Sequence, residues 1–135
     1  VGAIVLSLGA CGGGVDDAFA GTWTGVTVAS GTGGSFSYQS RLVVTVDENG
    51  KGLEVSSICP HGGGAIHGSG EGSSVHWSGE AICPIPSASC ATATLTYLEA
   101  DMTLVSGHLS ATGRGDITAC GSSGVVTLSF VGARQ

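Results

Sequence analysis

Ser35 to Val46 reads SFSYQSRLVVTV. Phe36, Tyr38, Ser40, Leu42, Val44 and Val46 fall on one side of an extended chain, and Ser35, Ser37, Gln39, Arg41, Val43 and Thr45 on the other. Successive side chains of a strand point to opposite faces, so this alternation predicts a strand whose aromatic and aliphatic face meets a core. DENGKG follows, Asp47 to Gly52, where Asn49 and Gly50 tolerate the positive φ of a tight hairpin turn. Leu53 and Val55 then resume the inward face.

Working outward, turn chemistry at short intervals divides the chain from residue 19 into eight strands. They fall at about 22 to 29, 35 to 46, 52 to 58, 64 to 69, 74 to 82, 92 to 105, 108 to 119 and 125 to 132. No segment shows helical periodicity. The same parity places Ile66, Val75, Trp77, Leu109, Ala111 and Ile117 inside, with Arg114 and Asp116 outside. In the sixth strand Ala93, Leu95 and Tyr97 are odd but Met102 and Leu104 even, so a bulge near Leu98 to Asp101 is needed to keep both sets inward. Eight sequential antiparallel strands predict an all-β fold, an up-and-down barrel without exposed edges; a β-sandwich is the alternative.

Composition agrees with one such domain. The 135 residues are 41% hydrophobic and only 10% charged, with 25 glycines, so the surface is hydroxylated rather than charged. A net charge of -6 with four basic residues, Arg41, Lys51, Arg114 and Arg134, leaves no patch to neutralise phosphates, which argues against a nucleic-acid partner.

Five cysteines are present. Setting Cys11 aside leaves Cys59, Cys83, Cys90 and Cys120, an even number that reads as two disulfides in an exported chain. In an antiparallel meander all four lie at one end of the sheet, and the preferred pairing is Cys83 with Cys90 and Cys59 with Cys120. Zinc is the competing explanation, but neither a CxxC nor a paired-histidine spacing supports it.

The chain opens VGAIVLSLGACGGGVDD. Val1 to Ala10 is too short for a spanning helix, which needs about 20 apolar residues, and matches the apolar middle of a signal peptide inside a longer precursor. LGAC, Leu8 to Cys11, resembles the bacterial lipobox, in which small residues precede a cysteine that is lipidated and becomes the new N-terminus. That resemblance implies a truncated signal peptide over 1–10, a lipidated Cys11 with a flexible tether over 11–18, and a barrel over 19–135. Several acyl chains on Cys11 would suffice for stable membrane attachment. Gly12 is similar to the residue found there in outer-membrane lipoproteins of enteric bacteria. The alternative is an ordinary secretory signal with Cys11 as a spare or disulfide-forming thiol. GTWTG, Gly21 to Gly25, resembles the Gly-x-Trp signature on the first strand of lipocalin-like barrels. In that family a basic residue after the last strand packs over the tryptophan, a part the resemblance gives to Arg134.

Reaction chemistry is hard to assemble. HGGGAIHG, His61 to Gly68, is similar to the oxyanion loop of esterases, yet the G-x-S-x-G elbow such enzymes need is missing, so a glycine-rich loop is the preferred reading. A turn centred on Gly70 to Ser73 would set His67 directly across from His76, facing outward; two imidazoles alone make a poor metal site, and a surface pair is preferred. His61 and His108 have no identifiable partners, and Glu99 with Asp101 read as a solvated edge rather than an acid–base pair. Trp23, Phe36, Tyr38, Trp77 and Tyr97 either line a ligand cavity or fill the barrel, while Ser40, Ala111, Gly113 and Gly115 leave space for a modest pocket. The expectation is a bacterial cell-envelope lipoprotein, non-enzymatic, without cofactor or metal, binding or structural in role and anchored at the outer membrane. Its partner beyond the membrane is a small apolar ligand, if it is a lipocalin-like carrier. A filled barrel would instead act as a surface module contacting an envelope protein or glycan.

Overall fold

Eight strands follow one another around a closed barrel, each antiparallel to its neighbours. They are β1 (Gly21–Gly31), β2 (Gly34–Val46), β3 (Gly52–Ser56), β4 (Ala65–Glu71), β5 (Ser74–Pro84), β6 (Thr94–Val105), β7 (His108–Ala119) and β8 (Ser122–Arg134). This computed structural model describes residues 14–32, 34–60, 63–85 and 93–135. β1 pairs with both β2 and β8, with the β1–β8 register running from Trp23↔Arg134 to Gly31↔Val126, so the sheet closes on itself and the sandwich alternative falls.

The alternation in Ser35–Val46 is realised: Ser40, Leu42 and Val44 are buried and Phe36 and Tyr38 half-buried, while Ser35, Ser37, Gln39 and Arg41 are exposed. The parity change in β6 is real as well. Tyr97 faces Gly115 and Glu99 faces Arg114, so Leu98 is the extra residue, and opposite it β5 slips between Ser78 and Ala81. Leu95, Tyr97, Ala100 and Met102 are all buried as a result.

The barrel has two unlike ends. At the β2–β3 end, residues expected to belong to a tether instead dock on the barrel. Val15 donates to the carbonyl of Gly50 at 2.6 Å and bridges to Gly72, and a one-turn 3₁₀ helix, Asp17–Phe19, is capped by Asp16, whose Oδ1 accepts from the Ala18 N–H. Phe19 is fully buried and Val15 nearly so, which makes this segment a plug. The expected tether is therefore shortened from its C-terminal side, because Val15 and Phe19 are apolar and find a hydrophobic seat in the barrel floor. Cys11 lies outside the described residues.

At the opposite end, which we call the mouth, sit the β1–β2 and β7–β8 turns and the loops that carry cysteines, as the meander requires. One disulfide is complete among the described residues, Cys59–Cys83, where two were expected. It overturns the pairing of Cys59 with Cys120 and of Cys83 with Cys90. Cys120 is itself disulfide-bonded, and Cys90 lies outside the described residues. The reason for the observed pairing is the weakest seam of the wall: β4 and β5 are in register only over Ser69↔His76, Gly70↔Val75 and Glu71↔Ser74. Beyond His76 the longer β5 continues towards the mouth unpaired on that side, and the loop after β3 reaches it through Cys59. Gly64 makes room for the bond: Gly63 and Gly64 have φ of +80° and +75°, and a Cβ on Gly64 would stand 2.6 Å from the Cys59 Sγ.

Candidate functional site

Inward side chains fill most of the barrel. At the plugged end the Trp23 Nε1–H donates to the Phe19 carbonyl at 2.9 Å, and the Arg134 guanidinium lies 4.5 Å from the Trp23 ring centroid while donating to the carbonyls of Ala18 and Ala20. Arg134 thus occupies the position the Gly-x-Trp resemblance gave it. The glycine of that signature also has a physical reason: Gly21 has φ +135°, and a Cβ there would stand 2.5 Å from an Arg134 nitrogen.

Midway up, Tyr38 and Tyr97 share a hydroxyl–hydroxyl bond of 2.7 Å, and the Tyr97 hydroxyl lies 3.2 Å from the Ile58 carbonyl that can accept from it. Thr27 and Ser40 pair at 2.6 Å beside them. Burial pushes both phenols above their ordinary value; the Tyr38 phenol adds to the rise at Tyr97, whereas bonds from Tyr97 and Thr27 temper that of Tyr38. Below this polar belt the interior retains a cavity of about 50 Å³, bordered by Thr27, Tyr97, Ala111 and Gly113 among others. It is far smaller than the roughly 300–1,000 Å³ typical of small-molecule sites.

A larger hollow opens at the mouth. A bowl of about 430 Å³ lies between the β1–β2 and β7–β8 turns, with Phe36, Ile117, Ala119, Val125 and Val126 in its apolar lining. Phe36 stacks on Tyr38 with ring centroids 6.0 Å apart and planes inclined by 24°. The five aromatic residues expected to line a ligand cavity are therefore divided. Phe36 borders the bowl, Tyr97 the small cavity, Tyr38 joins the two, and Trp23 and Trp77 are buried in packing that touches neither. What the sequence reading missed is the ring of small residues, Gly31, Ala119 and Gly124, at the mouth ends of β1, β7 and β8. Their signal was present as small side chains at inward-parity positions.

His67 and His76 are not opposite one another. His76 faces Ser69, and His67 faces Glu54 across β3, because the hairpin turns at Gly72 and Ser73, one residue later than expected. Each histidine bonds its own carboxylate, His67 Nε2 to Asp47 at 2.8 Å and His76 Nδ1 to Asp101 at 2.7 Å. Glu99 pairs with Arg114 at 2.9 Å, so the two β6 carboxylates have separate partners. No cluster of three metal-ligating side chains occurs among the described residues. His61 lies outside them, and Gly63 and Gly64 of the esterase-like loop form a tight turn bonded to Cys59 and Ser57.

No family model, curated protein or solved structure matches this chain.

Proposed function

We propose that this chain is a bacterial cell-envelope lipoprotein, anchored through Cys11, whose barrel is a non-enzymatic binding module acting at its mouth. The observation that carries the reading is the contrast in free space: about 50 Å³ in the interior against about 430 Å³ at the mouth. A filled barrel favours a surface-acting module over a carrier that encloses an apolar ligand. The lipobox-like Leu8–Cys11 supports the anchor. So does polarity, since Gly14–Ala20 docks at the plugged end and an anchor a few residues upstream leaves the mouth turned outward.

The test is expression of the chain behind a complete lipoprotein signal in a bacterial host, followed by fractionation and native mass spectrometry. Wild type is expected in the membrane fraction with acyl mass on Cys11, Cys11→Ser in the soluble fraction, and the solubilised barrel with no other mass released on denaturation. Wild type that stays soluble overturns the anchor. An apolar molecule released from the barrel overturns the surface-acting reading in favour of a carrier.

A further inference from the structure

The bowl at the mouth has a chemistry of its own. None of its lining residues is charged. Thr32, Ser35, Ser122 and Ser123 border it, and among the described residues none of their hydroxyls has a hydrogen-bond partner. Phe36 supplies an aromatic ring whose position is fixed from below, because the Tyr38 ring on which it stacks is held by Tyr97. The hollow is built into the sequence: a Cβ added at Gly124 would meet no atom within 4 Å, so the glycine leaves space that a side chain would fill.

We infer that this bowl binds a neutral saccharide, a deepening that rests on the reading of the mouth as the working end. An ionic ligand would lose water without gaining an opposite charge. A purely hydrocarbon ligand would cover rim hydroxyls such as those of Thr32 and Ser122 and leave them unbonded, each at a cost. A sugar ring meets both surfaces at once. Its C–H face lies against the negative face of the Phe36 ring and the apolar Ile117 and Val126, while its hydroxyls exchange hydrogen bonds with Ser122 and Thr32 on the rim. The bowl's volume falls within the range of small-molecule sites.

The experiment is an amide NMR titration of the membrane-released protein with maltotriose, cellotriose and chitotriose as neutral probes, trigalacturonate as a charged one and octanol as an apolar one. At least one neutral trisaccharide is expected to shift the signals of Gly31, Phe36, Ile117, Gly124 and Val126 at millimolar concentration, with trigalacturonate and octanol at least about tenfold weaker. Gly124→Trp, which fills the bowl without a strained backbone, abolishes the shifts; Phe36→Leu weakens binding by at least about tenfold while keeping a dispersed spectrum. Silence from all three neutral sugars overturns the assignment, as does a response indifferent to Gly124→Trp or preferential binding of octanol at the bowl. None of these results alters membrane anchoring or the filled interior, so the broader reading stands or falls by its own test.

Discussion

Tyr38 and Tyr97 are the chain's two tyrosines, and they bond each other. Their phenols are raised because burial disfavours the phenolate, so the folded state keeps its protons at a pH where the unfolded chain releases them. Stability from this pair is fully present below the unfolded value of about 10 and declines as the pH climbs above it. Ultraviolet titration should therefore show no phenolate through about pH 10 in the native protein, then ionisation coincident with loss of near-ultraviolet circular dichroism. The double variant Tyr38→Phe, Tyr97→Phe should lose most of that alkaline sensitivity. Phenolate appearing near pH 10 while the fold persists would show that the pair is not buried in solution. Residue-scale features of this kind were partly legible. Gly21, Trp23 and Arg134 carried a recognisable signature, whereas the meeting of Tyr38 with Tyr97 depends on barrel curvature, which alternation along a strand does not encode.

Strand boundaries and the bulge in β6 were legible because a parity switch within one apolar run admits few repairs: without Leu98 as the extra residue, either Tyr97 or Ala100 would face water. The β4–β5 register was not. Gly68, Gly70 and Gly72 alternate with Ser69 and Glu71, leaving no apolar pattern to fix the turn, and moving it by one residue shifted every cross-strand partner by two. Cysteine pairing failed for a related reason, since four cysteines gathered at one end satisfy several connectivities equally and only the lapse in the β4–β5 ladder selects Cys59–Cys83. That seam is where the barrel should open first. Replacing both cysteines, Cys59→Ala with Cys83→Ala, should cost about 3 kcal/mol. Hydrogen exchange should accelerate in Ala65–Gly68 and Trp77–Cys83 well before it does in β7 and β8. Uniform acceleration around the barrel would mean that the disulfide braces no particular seam.

At the scale of the molecule, charge and closure are both uneven. β1 and β8 contain no charged residue except Arg134, whereas β3 to β6 carry Glu54, Glu71, Glu80, Glu99 and Asp101 without a single Lys or Arg. The uncharged wall is also where the barrel closes on itself, and its lower end is strapped: Arg134 reaches across to Ala18 and Ala20, and the Gln135 N–H donates to the Thr22 carbonyl at 2.9 Å. The plug and the last strand therefore hold each other, so the segment leading to Cys11 is a working part of the barrel floor. Phe19→Ala should cost about 3–5 kcal/mol, the usual range for a fully buried aromatic. That is a large share of the roughly 5–15 kcal/mol that stabilises a domain. A chain beginning at Gly21 should lose more, because Val15 and both carbonyl acceptors of Arg134 leave with it. In a Trp77→Phe background the emission of Trp23 reports the floor directly: removing the plug strips its hydrogen bond to Phe19 and admits water, shifting emission to the red at temperatures where the barrel is still folded. Unchanged emission and melting temperature in the truncated chain would make the segment a mere lead-in to the barrel. The expected loss would instead mean that the N-terminal segment and the barrel fold through one set of contacts, so that a pull on that segment is felt first at the barrel floor.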